Sequence, residues 1–523
     1  MPPTHGERER IWVWTPVMII QQAARPHSRA RAPAPAWHPR RELGGGHLTN
    51  ASITLPLWLF IVFIAFAGWA ALVLLLAPGM RWYFRRRINT VIRQIGGKLD
   101  VELPSFKLTR RQVLIDRLFH DPKVQAAAAA RANETGEPLS ETWRRVDRYA
   151  REIVPSFNAY LYFRLGYAAG RALARVMYRV RIGYVDAESF ARVDSKSTIV
   201  FVMNHRSNMD YVLVGFLAAE RAALSYAVGE WARIWPLQQL VRAMGAYFVR
   251  RNSGDALYRT VLSRYVQMAT AGGVTQAMFP EGGLTVDGKL RPPKFGLLDY
   301  MLKGFDEREG DDKRDLVFIP VGLNYDRVLE DRSQLLKLDK DAPRPGKWAG
   351  VLTALGFLAD NLWLVATRRW HRFGYACVNF GTPFSMRAWA RARALHFPGL
   401  SDEDRRTVVS EIAAILMKRI GEVIPVLPVS LVASVLVDNP GRAFSELALK
   451  SAVHQRMEAL AGRGARLYIP REDQDYAFGV GLRMLTLRRI VVEEDGLYRA
   501  AAGEGAVLDY YANAIGHLAI HAA

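Results

Sequence analysis

The sequence predicts an α/β fold, headed by one transmembrane helix and a mainly helical region. Three observations carry that prediction. Short apolar runs of strand type (STIVFVM, GVTQAMF, DLVFIPVGLNY and YACVNF) alternate with stretches of helical period between residues 197 and 380. An uncharged apolar stretch occupies residues 53–77. Between 105 and 185, apolar residues recur at three- and four-residue spacing with many arginines between them.

Composition bounds the chemistry. Of the 523 residues 50% are apolar and 23% charged, enough for a sizeable core, which excludes wholesale disorder. A single cysteine excludes a disulfide framework, a cysteine-built zinc site and an iron–sulfur cluster. Cys377 lies in the apolar run GYACVNF and reads as a buried structural thiol. With 71 basic against 50 acidic residues the net charge is +21. Such a surplus points to an anionic partner: nucleic acid, a lipid surface, or a phosphorylated or CoA-type substrate.

Taken in order, residues 1–50 are rich in Arg, Pro and Ala and read as a disordered basic tail. Residues 53–77 would rise about 37 Å as a helix, enough to cross a hydrocarbon core of about 30 Å. Arg81, Arg85, Arg86, Arg87 and Arg93 follow that helix, whereas Arg40 and Arg41, opposed by Glu42, precede it. The positive-inside rule therefore places the long C-terminal part in the cytoplasm, at the inner membrane. Residues 1–95 carry 12 Arg and three Glu, so much of the basicity flanks the membrane helix and favours anionic lipid as a partner. No aromatic-interleaved basic motif appears, and no nucleic-acid partner is expected. Residues 100–190 form the helical region, 191–390 the strand-bearing domain, and 391–523 a mainly helical C-terminal region. The apolar run at 423–437 contains two prolines, which argues against a second span. The tail closes with a hairpin-like RRIVVEEDGLYRA and an amphipathic helix, LDYYANAIGHLAI.

The stretch TIVFVMNHRSNMDYVLV carries the most chemistry. An apolar strand ends at Met203, and Asn204, His205, Arg206, Ser207, Asn208 and Asp210 crowd in before the next apolar run. Open α/β sheets place their ligands at such strand ends. A histidine and an aspartate there can act as a base and its orienting carboxylate. On one ideal helix, residues five apart lie about 140° from each other. The pair can therefore meet only with His205 on the turn and Asp210 in the first helical turn. The plainer reading of this cluster by itself is a helix cap at Asn204 or Ser207 beside an incidental histidine.

Three further blocks follow: GAYFVRRNSGDALYR, FPEGGLTVDGKLRPPKFGLL and IPVGLNYDRVLE. Each brings a strand-like run to a polar loop. In this order, with NHRSNMDY before them, they resemble the four blocks of the glycerolipid acyltransferases, in the glycerol-3-phosphate and dihydroxyacetone-phosphate branch. The segments IVVEEDGLYRA and YYANAIGHL look like that branch's C-terminal region, and the similarity covers roughly residues 150–523.

The resemblance implies a mixed sheet with helices on its faces, and residues 191–390 as the catalytic domain. It implies that His205 is the general base and Asp210 its orienting carboxylate. Arg251, with Arg250, would hold the acceptor's phosphate. Glu281 and Gly282 would belong to the acceptor site, and Pro320 would lie near the acyl chain. The partners implied are an acyl thioester, from acyl-CoA or acyl-carrier protein, and a phosphorylated glycerol-type acceptor; neither a cofactor nor a metal is implied. One departure stands out. The family's third block carries an arginine where this chain has Leu284. Lys289, Arg291 or Lys294 is then expected to replace it, or the acceptor differs. The expected reaction is acylation of the 1-hydroxyl of glycerol 3-phosphate, with lysophosphatidate or dihydroxyacetone phosphate as alternative acceptors. A non-catalytic, membrane-tethered protein that binds anionic lipid is the alternative from another class.

The membrane reading has a direct test. Removing residues 1–80 is expected to turn an integral protein into one that high salt or carbonate extracts, with weak residual adhesion to anionic vesicles. Equal resistance of the full and shortened chains to both washes would show that 53–77 is not the anchor.

Overall fold

The computed structural model describes residues 104–518, apart from 219–222, 230–236, 251–252, 309, 311–312 and 339–372. The predicted tail and the predicted span at 53–77 lie outside the described residues. Among the described residues, no helix is long and apolar enough to cross a membrane.

Eight strands form the main sheet: β1 (Arg179–Val185), β2 (Thr198–Met203), β3 (Ser225–Val228), β4 (Tyr247–Phe248), β5 (Gln276–Met278), β6 (Leu316–Tyr325), β7 (Tyr375–Phe380) and β8 (Phe384–Ser385). Their order is β1-β7-β6-β2-β5-β3-β4, with β8 also on β6. β6, β2, β5, β3 and β4 run parallel, while β7 and β8 run antiparallel to β6, so the sheet is mixed. All ten residues of β6 are buried, which explains its continuous apolar run. Pro320 falls between the residues that pair with β8 (Val317, Phe318) and those that pair with β7 (Val321–Tyr325). A missing N–H interrupts no ladder at that gap.

Side chains of β2 alternate between two cores, as the strand period of two requires. Phe201 and Met203 enter one, together with the helices Met209–Ala218, Pro428–Val437, Gln474–Leu487 and Gly505–Gly516. Val200 and Val202 enter the other, with Ala256–Ala271, Asp402–Val423 and the N-terminal helices Arg111–Phe119, Pro122–Thr135 and Leu139–Ile153. The N-terminal helices pack on the sheet domain through specific pairs. Arg264 Nη2 meets Asp121 Oδ2 at 2.6 Å, and the Tyr149 hydroxyl donates to Asp255 Oδ2 at 2.6 Å.

β1 lies inside the region expected to be helical. It pairs in parallel with β7 at the sheet edge, and its RVRIGYV side chains are mostly exposed, so no apolar run announces it. The apolar run at 423–437 yields the helix Pro428–Val437, which Pro428 opens and whose residues are buried through Leu436. The hairpin expected near 495 is present: β10 (Val491–Glu494) and β11 (Leu497–Ala500) pair antiparallel, and β9 (Phe444–Ser445) joins β11. Asp495 and Gly496, with φ of 52° and 74°, make the tight turn.

Cys377 sits on β7 with 0% exposure, and burial pushes its thiol up to about 12. It is therefore expected to stay unmodified by an aromatic disulfide reagent in the native protein and to react fully after denaturation. Rapid native labelling would contradict its placement.

Candidate active site

The site begins where β2 ends. The Asn204 side chain continues the sheet, donating to Leu323 O at 2.9 Å and accepting from Leu323 N at 2.8 Å. That anchors the turn to β6 and leaves His205 as the first residue free of the ladder. Asp210 is the second residue of the helix Met209–Ala218, so the pair meets across the turn as the spacing demands. His205 Nδ1 lies 2.9 Å from Asp210 Oδ2, with the residues 2% and 0% exposed.

The same carboxylate oxygen accepts from Arg206 N at 2.8 Å and Ser207 N at 3.0 Å. Its other oxygen accepts from the Tyr325 hydroxyl of β6. An oxygen surrounded by donors requires the histidine tautomer with hydrogen on Nδ1, which leaves the Nε2 lone pair for a substrate proton. The imidazole stacks on Phe279 at 3.8 Å between ring centres and 21° between planes, and Tyr211 meets it edge-on at 5.4 Å. Glu330 steadies the turn from the fourth block. It accepts from Ser207 Oγ at 2.8 Å and from the Asn208 amide side chain at 3.0 Å. Burial pushes its carboxyl up.

Glu281 works from beneath. One oxygen accepts from His205 N at 2.8 Å and the other from Arg291 N at 2.9 Å. Thr285 N donates to His205 O at 2.9 Å, so the third block grips the first through backbone on both sides of the histidine. Burial raises the Glu281 carboxyl from 4.5 to about 7, against the pull of those two N–H donors.

His205, Arg250, Gly282 and Lys294 line one cavity of about 370 Å³, with Tyr211 and Tyr258 among its walls. Four residues expected in the site are thus brought together, with Asp210 and Glu281 supporting the histidine from behind. Gly282 has φ +70°, and a Cβ there would meet Lys294 Cδ at 2.6 Å, so glycine lets the lysine stem pass. Arg250 closes its fork on Glu152 at 2.9 and 2.6 Å and lies over the rings of Tyr149 and Tyr258. Its charge is already matched. Arg251 lies outside the described residues.

Pro320 stands apart, lining a different cavity of about 830 Å³ beside Tyr184, Gly381 and Trp389. Among the expected substitutes for the absent arginine, Arg291 turns its guanidinium back to Leu284 O at 3.3 Å. Lys289 is exposed and accepts from Thr285 Oγ through its carbonyl oxygen at 2.8 Å. Of the three, only Lys294 reaches the histidine cavity. Among the described residues, no cluster of three or more His, Cys, Asp or Glu side chains could hold a metal ion.

Two stretches of the chain match known protein families. Residues 182–324 match the family described as Acyltransferase, and residues 360–523 match the Glycerol-3-phosphate acyltransferase C-terminal region. Curated relatives include a glycerol-3-phosphate acyltransferase from Xylella fastidiosa (strain M23), 28% identical over 70% of this chain and 40% of its own. One from Aeromonas hydrophila is 27% identical over 79% of this chain and 50% of its own. This chain thus spans about half or less of the length of these relatives. A crystal structure of a 1-acyl-sn-glycerophosphate acyltransferase from Thermotoga maritima is 16% identical, at a TM-score of 0.28, over 59% of this chain and 95% of that one. The chain is similar to glycerol-3-phosphate acyltransferases, as its four blocks imply.

Glu281 gives a pH signature. Between about 4.5 and 7 the folded chain holds a proton that the unfolded chain has released, so this group's stabilisation is complete below 4.5 and is lost as pH rises through 7. Glu281→Gln loses one acceptor and is expected to melt lower throughout. Its melting temperature should nevertheless fall less between pH 5 and 8 than that of the unaltered protein. Parallel slopes would refute the assignment.

Proposed function

We propose that this chain transfers a fatty acyl group from a thioester, acyl-CoA or acyl-carrier protein, to the 1-hydroxyl of glycerol 3-phosphate. The observation that carries the reading is the His205–Asp210 pair, with its second ring nitrogen free at the wall of a cation-bearing cavity. His205 Nε2 takes the hydroxyl proton as the oxygen attacks the thioester carbonyl. The tetrahedral intermediate collapses, the C–S bond breaks, and the imidazolium returns the proton to the departing thiolate. Asp210 balances the transient imidazolium charge, and the Phe279 stack holds the ring in line. No covalent acyl-enzyme is needed, because a thioester already carries a good leaving group.

Lys294 stands within the cavity as a cation for the acceptor's phosphate. Because Leu284 withholds the usual arginine, lysophosphatidate and dihydroxyacetone phosphate belong in the same assay. The chain is proposed to work at the cytoplasmic face of the inner membrane. Residues 53–77 would hold it there, and the arginines beside them would attract anionic lipid.

Purified protein given labelled acyl-CoA with each acceptor in turn is expected to favour glycerol 3-phosphate. His205→Ala should lower turnover about 100- to 10,000-fold while the protein still folds, with a melting temperature lowered by the lost stack and donor. Asp210→Asn keeps the size but loses the charge that steadies the imidazolium, and should also be severely impaired. If the His205→Ala protein retained about a third of normal turnover, the general-base role would fall.

A further inference from the structure

The described residues leave one cation of the histidine cavity without an assigned role. Arg259 lies in the first turns of the helix Ala256–Ala271 and lines the same cavity as His205 and Lys294. It is exposed, and its side chain has no hydrogen bond or ion pair among the described residues. Its charge reaches Tyr300 on the cavity wall: burial raises that phenol's pKa, and Arg259 works against the rise. The helix beneath it is firmly seated. Asp255 caps it by accepting from Tyr258 N at 3.2 Å, and is itself held by Tyr149 at 2.6 Å and Arg131 at 3.2 Å.

Arg250 differs on each count. Its guanidinium is bidentate on Glu152 and lies over two aromatic rings, so it fastens the helix Leu139–Ile153 to the cavity wall. A phosphomonoester would have to compete with a carboxylate already in place. Among the described residues Arg259 and Lys294 have no such competitor, and the Lys294 stem is directed over Gly282.

We propose that Arg259 binds the acceptor's phosphate together with Lys294, supplying from the second block the cation that Leu284 removes from the third. The inference rests on the acyl-transfer reading for the identity of the acceptor, while the pairing of the two cations stands on the cavity itself. Its ligand class is a small phosphomonoester dianion, which a guanidinium fork and an ammonium can bind jointly.

Two measurements on the full-length protein separate the possibilities. In steady-state assays, Arg259→Ala should raise the glycerol 3-phosphate KM about tenfold or more and leave the acyl-donor KM within about twofold. Arg259→Lys should recover part of the loss. In equilibrium titrations without donor, glycerol 3-phosphate and inorganic phosphate should bind the unaltered protein and lose affinity by a similar factor in Arg259→Ala. Uncharged glycerol should show no such difference. If the unaltered protein acylates glycerol 3-phosphate and Arg259→Ala leaves its KM within about twofold, the proposal is overturned while the reaction stands. If no acceptor is acylated but phosphate binding still depends on Arg259, the acyl-transfer reading fails and the anion site is upheld. Phosphate affinity unchanged in Arg259→Ala would overturn the site whichever reaction the protein performs.

Discussion

A buried carboxylate must be surrounded by donors or it cannot stay charged. Asp210 meets that requirement with four: the His205 ring, the backbone N–H groups of Arg206 and Ser207, and the Tyr325 hydroxyl. Two of these fix the turn after β2, one fixes the imidazole, and one ties the assembly to β6. The site's local geometry follows from satisfying this one side chain. Ser207 Oγ accepts from Met209 N at 3.1 Å at the start of the helix Met209–Ala218, and Asp210 in the first turn places a negative charge at the positive end of that helix.

Support then spreads outward through backbone contacts more than through side-chain charges. Glu281 receives His205 N and Arg291 N, and Thr285 N reaches His205 O, so the third block acts as a rigid loop beneath the histidine. The fourth block is secured in turn by the C-terminal region. The Tyr511 hydroxyl donates to Asp331 at 2.6 Å and accepts from Val328 N at 3.1 Å, while Arg488 meets the same aspartate at 2.6 Å. Glu330, which steadies Ser207 and Asn208, lies within this braced segment.

The readable parts of the sequence are those whose partners lie close in the chain. The His205–Asp210 pair spans five residues, and spacing alone decided that the histidine had to sit on the turn. The long strands β2, β6 and β7 announce themselves because they are buried on both faces. β1 does not, since an edge strand with exposed arginines has no apolar signature. Tyr325, Glu330 and Phe279 were missed as site residues because their partners come from far along the chain; Tyr325 is 115 residues from Asp210. A polar cluster at the end of β6, NYDRVLED, was the only local signal for Tyr325 and Glu330. The partner of Arg250 was hidden for the same reason. Nothing beside it reveals Glu152, 98 residues earlier, whose carboxylate occupies its fork.

Gly288 shows how closely the end of the chain fits against the site. Its φ is +86°, and a Cβ there would come within 2.0 Å of Tyr510 O, while Asn513 donates to Asp287 O at 2.9 Å. Arg206, the neighbour of the histidine, donates to Gly288 O at 2.9 Å and lies over the Tyr510 ring. The loop beneath His205 is thus shaped against a helix made about 220 residues later. At a synthesis rate of about 5–20 residues per second, that interval lasts roughly 11–44 s on the ribosome. During it the nascent chain already carries its histidine and aspartate but lacks the wall that shapes their loop.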